Sequence, residues 1–199
     1  MFITNEYHLW HRGFPIEKVY YRNLSEPKKK TIIPLIQANL WDGDPDVDAI
    51  ARILYRPNVN LKKRNGDTIT PYSANGFIVF NSQNTFLHRS VIPFYMVLPH
   101  IGRIDDIWGA YLLQFLVNKN KDKFTNLGIM NNNPYIIFSK PTVYQERNQH
   151  NLIKDFNEEV YGYKNTLSFL KNIEDWSTFL NNKTKAALNE YFRIMGVDI

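Results

Sequence analysis

The sequence has 199 residues, of which 44% are hydrophobic and 15% aromatic, enough apolar surface for one folded core, which argues against disorder over most of the chain. The 24 Lys and Arg exceed the 19 Asp and Glu, which favours contact with phosphate groups. The two dense basic runs, Lys28–Lys30 and Lys62–Arg64, are typical of exposed loops, so we expect no nucleic-acid partner.

The sequence also excludes several kinds of chemistry. It has no cysteine, which rules out disulfides, thiolate metal sites and cysteine nucleophiles. It has no Gly-rich phosphate loop, His-Glu-x-x-His helix or Gly-x-Ser-x-Gly elbow, so no motif supports a hydrolase or a kinase. Neither a signal peptide nor a run of ~20 apolar residues is present, and we expect a soluble, cytoplasmic protein without a membrane span.

In chain order, the first predicted elements are a strand and a short helix. The apolar run Thr31–Gln37 predicts a strand near a sheet edge or bulge, because it contains Pro34. The helix that follows has Asp44 as its predicted N-cap and Pro45 in its first turn. The next predictions are a hairpin turn at Asn65–Asp67, a strand at Gly76–Phe80, a helical segment from Phe86 to about Leu98, a long amphipathic helix over Ile104–Val117, and strands at 124–130 and 135–138.

From His150 onward the hydrophobic period is helical. Breaks near Gly162, Asp175 and Asn181 divide this part into three or four short helices packed on the preceding sheet. The sequence therefore predicts one α/β domain over residues 1–199, with the sheet in about the first 145 residues and a helical part after them.

Two acidic clusters are candidates for chemistry. Four acids alternate over Asp42–Asp48 and match the D-x-D pattern that holds divalent metals, although helix capping also explains them. If capping does not account for them, Asp42 and Asp44 are the candidate metal ligands. Asp105 and Asp106 begin the long helix, where they act either as a cap or as a site. Because adjacent carboxylates repel, one pKa should rise and that group should accept a proton from a sugar hydroxyl.

Polar residues supply further candidates. Asn75 and the patch Asn81–Thr85 flank the Gly76–Phe80 strand, and open α/β sheets bind ligands at strand ends; a polar loop is the alternative. Arg147 and His150 either contact a diphosphate and its metal or lead into the helix that begins near Asn151.

Five segments in order resemble the STELLO-like glycosyltransferase family and, more distantly, the reversibly glycosylated polypeptides, which are UDP-arabinopyranose mutases. The segments are RGFP at 12–15, DGDPDVDAI at 42–50, FNSQNT at 80–85, DIW at 106–108 and RNQHNLIKD at 147–155. The resemblance extends from about Trp10 to Trp176. It implies a GT-A-type fold with a mixed sheet flanked by helices, and a sugar nucleotide, a UDP-sugar above all, as ligand. It also implies Mn²⁺ or Mg²⁺ on the diphosphate.

The resemblance also implies roles for individual residues. Asp106 is the expected base at the acceptor side, and Asp105 beside it is either a second catalytic acid or the cap of the helix. His150 is expected to join Asp42 and Asp44 at the metal. The expected substrate-binding residues are Arg12, Asn81, Gln83, Asn84, Arg103, Trp108 and Arg147.

In a GT-A fold, a nucleotide-binding Rossmann half precedes the RGFP element, which this sequence reaches at Arg12. We therefore expect the chain to correspond to the C-terminal portion of the fold, completed by self-association or by a complementary nucleotide-binding subunit. The favoured interpretation is a glycosyltransferase. A sugar-nucleotide mutase and a non-catalytic interaction module derived from the fold are the alternatives.

Overall fold

The computed structural model describes residues 9–21, 31–61, 73, 76–127 and 135–198. Within these ranges the chain forms a small three-stranded mixed sheet flanked by helices. Strand β1 (Ile36–Gly43) lies between β2 (Thr85–Leu87), which is antiparallel to it, and β3 (Ile136–Gln145), which is parallel. The basic runs, the Asn65–Asp67 turn and Asn75 lie outside the described residues.

β1 is a buried central strand that begins at Ile36, so the strand predicted over Thr31–Gln37 was wrong in extent and does not lie at a sheet edge. Pro34 precedes the first strand residue, where its missing N–H removes no ladder hydrogen bond. Every residue of β1 except Gln37 is buried. β3 is longer than predicted, and its register against β1 shifts between Asn39 and Trp41, opposite the stretch that contains Pro141.

Residues 76–80 are mostly buried but do not form the predicted strand. Ile78 N donates to Gln114 Oε1 at 2.8 Å, and Gln114 Nε2 donates to Ile78 O at 2.7 Å. One glutamine side chain thus satisfies two backbone groups that a neighbouring strand would otherwise satisfy. The predicted helical segment from Phe86 to Leu98 was also wrong, because β2 occupies its start and only a 3₁₀ turn, Ile92–Phe94, follows.

Helix α1 (Ala49–Tyr55) begins later than predicted. Its N-cap is Asp48, whose side chain accepts a hydrogen bond from Ala51 N at 2.8 Å. Asp44, the predicted N-cap, instead pairs with Arg52 Nη1 at 2.6 Å. Several acids near this point could act as the N-cap, and the acid that does so depends on which of the others pair with distant residues.

Helix α2 (Asp105–Lys119) confirms the predicted long helix but not its amphipathic character. Eleven of its fifteen residues are buried, which is typical of a helix that lies inside a core. Trp108 stacks on Phe169 with ring centroids 4.2 Å apart. The predicted strand at 124–130 was wrong over its described part, because Lys121–Leu127 forms a 3₁₀ helix; residues 128–130 lie outside the described ranges.

Two further helices, α3 (Leu152–Lys171) and α4 (Asn182–Met195), form the helical C-terminal part. The predicted break at Gly162 was wrong, because α3 continues through it and packs on Ile104 there. The breaks near Asp175 and Asn181 are confirmed: a 3₁₀ helix, Ile173–Phe179, follows α3, and Asn181 caps α4. No helix in the described ranges is both long and apolar enough to cross a membrane.

The buried hydrophobic residues form two clusters. The larger one contains most of α2 together with side chains of the first half of β1, β3, α3 and α4. The smaller one lies around the second half of β1 and consists of Leu9, Leu40, Val47, Ala51, Val59 and Leu61. Charged residues next to Val47 and Ile107 lie where the two clusters approach each other, and these residues form the candidate site.

Candidate functional site

Arg12 joins two carboxylates that are far apart in the sequence. Its Nε and Nη2 donate to Asp46 Oδ1 and Oδ2, both at 3.1 Å, and Nη2 also donates to Asp106 Oδ1 at 3.0 Å. The bidentate contact uses the planar fork of the guanidinium group. All three residues are buried, with Asp46 only 1% exposed. Arg12 therefore links the start of α1 to the start of α2.

Arg147 and Asn81 complete the surroundings of Asp46. Arg147 Nη2 donates to Asp46 Oδ1 at 3.0 Å, and Asn81 Nδ2 donates to Asp46 Oδ2 at 2.7 Å. Burial alone would raise the pKa of Asp46, but the charges of Arg12, His11 and Arg147 hold that pKa well below its ordinary value. Asp46 is therefore ionised, and it is the centre of this network.

The two acids at the start of α2 differ in their surroundings. Asp106 is buried, and its Oδ2 accepts hydrogen bonds from Ser82 N at 3.0 Å and Ser82 Oγ at 3.2 Å. Asp105 is only partly buried, and its Oδ1 accepts from Asp106 N at 2.8 Å. Burial raises the pKa of Asp105; the Asp106 N–H opposes this rise and the Asp106 charge adds to it. Neither acid is the N-cap of α2, which is Ile104.

A row of amide and hydroxyl side chains extends from this network along the sheet. Gln83 Oε1 accepts from Arg147 Nη2 at 3.3 Å. Asn84 has a positive φ of 46°, which asparagine tolerates better than most residues, and its Nδ2 donates to Leu40 O at 2.8 Å. Thr142 Oγ1 donates to Asn84 Oδ1 at 2.7 Å. Such groups present fixed donors and acceptors to a hydroxyl-rich ligand.

Three residues predicted for the same site lie elsewhere. Arg103 binds the acids of α3, with Nε 2.9 Å from Glu159 Oε1 and Nη1 3.3 Å from Asp155 Oδ1. His150 Nδ1 lies 2.5 Å from Asp155 Oδ2. Trp108 is 0% exposed, and its Nε1 donates to Thr166 Oγ1 at 3.0 Å, so its position is that of a core residue.

The predicted metal ligands are not brought together. Asp42 Oδ1 accepts from Leu61 N at 2.5 Å, Asp44 pairs with Arg52, and His150 pairs with Asp155. No group of three or more His, Asp or Glu side chains in the described residues is arranged to hold a metal ion. As placed here, Asp42, Asp44 and His150 do not fit one metal centre.

Asp46 and Ser82 lay within the predicted acidic cluster and polar patch, but neither was among the individual residues expected at the site. The four alternating acids of DGDPDVDAI did indicate that some of them have long-range partners, because a helix has only one N-cap and the remaining acids need other partners. The pattern does not tell which acid pairs with a distant arginine.

A second pair of buried acids, Asp48 and Glu159, surrounds the start of α1. Glu159 Oε2 accepts from Ala49 N at 2.8 Å and from the Tyr163 hydroxyl at 2.6 Å. Asp48 accepts from Ala51 N and from the Trp10 indole N–H. Burial raises the pKa of Asp48 to about 7; the Ala51 N–H opposes this rise, and the nearby Glu159 charge adds to it. These acids hold α1 against α3.

In comparisons with known proteins, no protein-family model matches the chain and no curated protein matches it significantly.

Proposed function

We propose that this chain transfers a sugar from a sugar nucleotide to an acceptor hydroxyl at the network around Asp46. One observation carries the proposal: residues from five separate segments converge in a single hydrogen-bonded network. They are Arg12, Asp46, Asn81 with Ser82, Asp106 and Arg147. Each belongs to one of the five segments that resemble STELLO-like glycosyltransferases, although the resemblance assigned no role to Asp46 or Ser82.

The charges of the network favour a polar, hydroxyl-rich ligand. Arg12 and Arg147 are balanced by Asp46 and Asp106, so these four side chains carry no net charge together. A neutral and densely hydrogen-bonding surface suits sugar hydroxyls, and Gln83 and Asn84 extend it. We propose that Mn²⁺ or Mg²⁺ binds together with the diphosphate of the sugar nucleotide. We assign no described residue as its ligand.

Asp105 is the proposed proton acceptor for the attacking hydroxyl. It is the more exposed of the two acids, and its raised pKa brings its basicity closer to what a general base needs near neutral pH. Asp106, the base expected from the sequence, is held by Arg12 and Ser82 and is proposed to position the loop that carries Ser82. The sugar hydroxyls then hydrogen-bond the side-chain amides of Gln83 and Asn84, and catalysis comes mostly from orientation.

Two measurements test this function. One is a transfer assay with UDP-sugars and GDP-sugars, each with Mn²⁺ or Mg²⁺, and the other is calorimetric binding of the same ligands. Asp105→Asn should lower the transfer rate by about 10²–10⁴-fold while nucleotide-sugar binding persists. Asp122→Asn, which changes an exposed acid outside the network, should leave both unchanged. If no sugar nucleotide binds and no transfer occurs, the proposal fails for this chain alone.

A non-catalytic interaction module is the second candidate, and the internal pairing of the four network charges favours it. These side chains already satisfy one another, so the network also serves as a structural link between α1 and α2. The module would bind a second copy of the chain or a complementary nucleotide-binding subunit. Light scattering should then show a stable oligomer or complex whose amount Asp105→Asn does not change.

A further inference from the structure

A cavity of about 470 Å³ lies away from the network, between the loop that precedes α2 and the helices that follow β3. Residues His100–Gly102 form one wall, Glu158 and Tyr161 of α3 form the second, and residues 178–181 form the third. Its size is within the range of small-molecule sites. Neither the five sequence segments nor the proposed transfer reaction uses these walls, apart from the loop that leads into α2.

Backbone geometry shapes the cavity at its first wall. His100 has a positive φ of 63° and Gly102 a positive φ of 75°. A side chain at Gly102 would collide with the Glu158 carbonyl oxygen, so this glycine lets the loop lie directly on α3. His100 is exposed, and histidine adopts the left-handed conformation more readily than most non-glycine residues.

Three polar side chains of the cavity each donate a hydrogen bond to a backbone carbonyl. The Tyr161 hydroxyl donates to Phe179 O at 2.7 Å, Thr178 Oγ1 donates to Asp175 O at 2.8 Å, and Asn181 Nδ2 donates to His100 O at 2.9 Å. The oxygens of Tyr161 and Thr178 keep lone pairs for a ligand. The hydroxyl groups of Tyr161 and Thr178 therefore offer a ligand acceptors rather than donors.

The charge and the aromatic rings of the cavity also favour a ligand that donates hydrogen bonds. Glu158 carries the negative charge of the cavity, and no Lys or Arg is among the described residues that line it. Lys154 lies 3.7 Å from Glu158, but both side chains are open to water and such an i,i+4 pair is weak. The rings of Tyr161 and Phe179 supply negative π faces.

We propose that this cavity binds an organic cation, an ammonium or guanidinium group, through Glu158 and the Tyr161 ring. A cation would pair with the Glu158 carboxylate, donate hydrogen bonds to the Tyr161 and Thr178 oxygens, and lie against the aromatic rings. An anion such as a phosphate would face the Glu158 charge, and His100 is the one basic side chain among the described residues that line the cavity. The cation either belongs to a free amine or is the end of a Lys or Arg side chain of another polypeptide.

Calorimetry and saturation-transfer NMR with n-butylammonium test the site, with butanol and butyrate as neutral and anionic probes of similar size. Butylammonium should bind, and Glu158→Gln should weaken it by about fivefold, as expected for a partly exposed ion pair. Tyr161→Leu should weaken it by about threefold through loss of the ring. Glu190→Gln removes the same charge from an exposed position outside the cavity and should have no effect.

A lysine pentapeptide and its Nζ-acetylated form distinguish the two sources of the cation. Binding of both butylammonium and the unmodified peptide indicates a site for a protein side chain, whereas binding of butylammonium alone indicates a site for free amines. The inference is overturned if butanol binds as tightly as butylammonium, or if Glu158→Gln binds like the wild type while its circular dichroism is unchanged. Sugar-nucleotide binding at the Asp46 network is measured separately, so neither result decides the other.

Discussion

Among the acids that follow β1, Asp46 should matter most for stability. Asp46→Asn keeps the side-chain shape but leaves two buried guanidinium groups without one of their carboxylates. Breaking a buried pair in this way should lower the free energy of unfolding by about 3–5 kcal/mol, measured by urea denaturation. Asp44→Asn is the matched control and should cost at most about 1 kcal/mol, because Asp44 is more exposed and holds one arginine. Equal losses would contradict the central place of Asp46.

Some residues of the candidate site were predicted individually from the sequence, and others were not. Arg12, Asn81 and Arg147 were candidates from the sequence, and the structure places them together with Asp106. Asp46 was not singled out among the four acids, because local spacing explains any of them as a cap and only long-range pairing separates them. The grouping of His150 with Asp42 and Asp44 did not appear, since each of the three has a nearer partner.

Asp48 should give stability an unusual pH dependence. Its pKa is about 7 in the folded chain against an ordinary 3.8, so the folded protein retains a proton that the unfolded chain releases. The associated stabilisation is present below about pH 4 and is lost as the pH rises to about 7. Relative to wild type, the unfolding free energy of Asp48→Asn should therefore rise by about 2 kcal/mol between about pH 5 and pH 8.

Urea denaturation at the two pH values checks this difference. Burial lowers the pKa of His11, which gives a slope of opposite sign, but both proteins contain His11 and the subtraction removes its effect. Asp122→Asn, at an exposed position, should show no such change relative to wild type. A flat difference for Asp48→Asn would show that Asp48 is ionised throughout.

At the scale of elements, the sequence predicted helices better than strands. α3 and α4 carry a sustained helical period, which is a local signal, whereas α2 is apolar on nearly all sides. Strand pairing depends on distant residues: β2 has only three residues, and the buried segment 76–80 bonds to Gln114 instead of a strand. The burial of α2 on all sides was also unpredictable, because it depends on what packs around the helix.

Two glycines inside helices should be more stabilising than alanine despite their poor helix propensity. A Cβ on Gly109 would collide with the Met96 carbonyl oxygen, and one on Gly162 would lie 2.5 Å from Ile104 Cγ2. Alanine gains about 1 kcal/mol in helix propensity. Gly109→Ala should nevertheless lower the unfolding free energy by about 2 kcal/mol, because backbone cannot move aside easily.

Gly162→Ala should cost less than Gly109→Ala, because the Ile104 side chain can shift. Thermal and urea denaturation of the two variants give the comparison directly. If Gly109→Ala were as stable as wild type, the close approach of α2 to the 95–98 segment would be disproved.

At the scale of the whole molecule, the charged network joins two hydrophobic clusters. Asp46 precedes Val47 of the smaller cluster, Asp106 precedes Ile107 of the larger one, and Arg12 binds both acids. A small sheet with one three-residue strand offers little area to hold these parts together. The buried ion pairs should therefore couple the two clusters, as expected for the one domain predicted over residues 1–199.

Equilibrium unfolding tests this coupling. Leu40→Ala removes a buried side chain from the smaller cluster and Leu113→Ala one from the larger, and each should cost about 2–5 kcal/mol. If the clusters are coupled, both variants should unfold in a single transition at which tryptophan fluorescence and far-ultraviolet circular dichroism coincide. Trp10 packs on the smaller cluster while Trp108 and Trp176 lie in the larger. An early fluorescence change in Leu40→Ala, with helical dichroism retained, would instead show that the smaller cluster unfolds on its own.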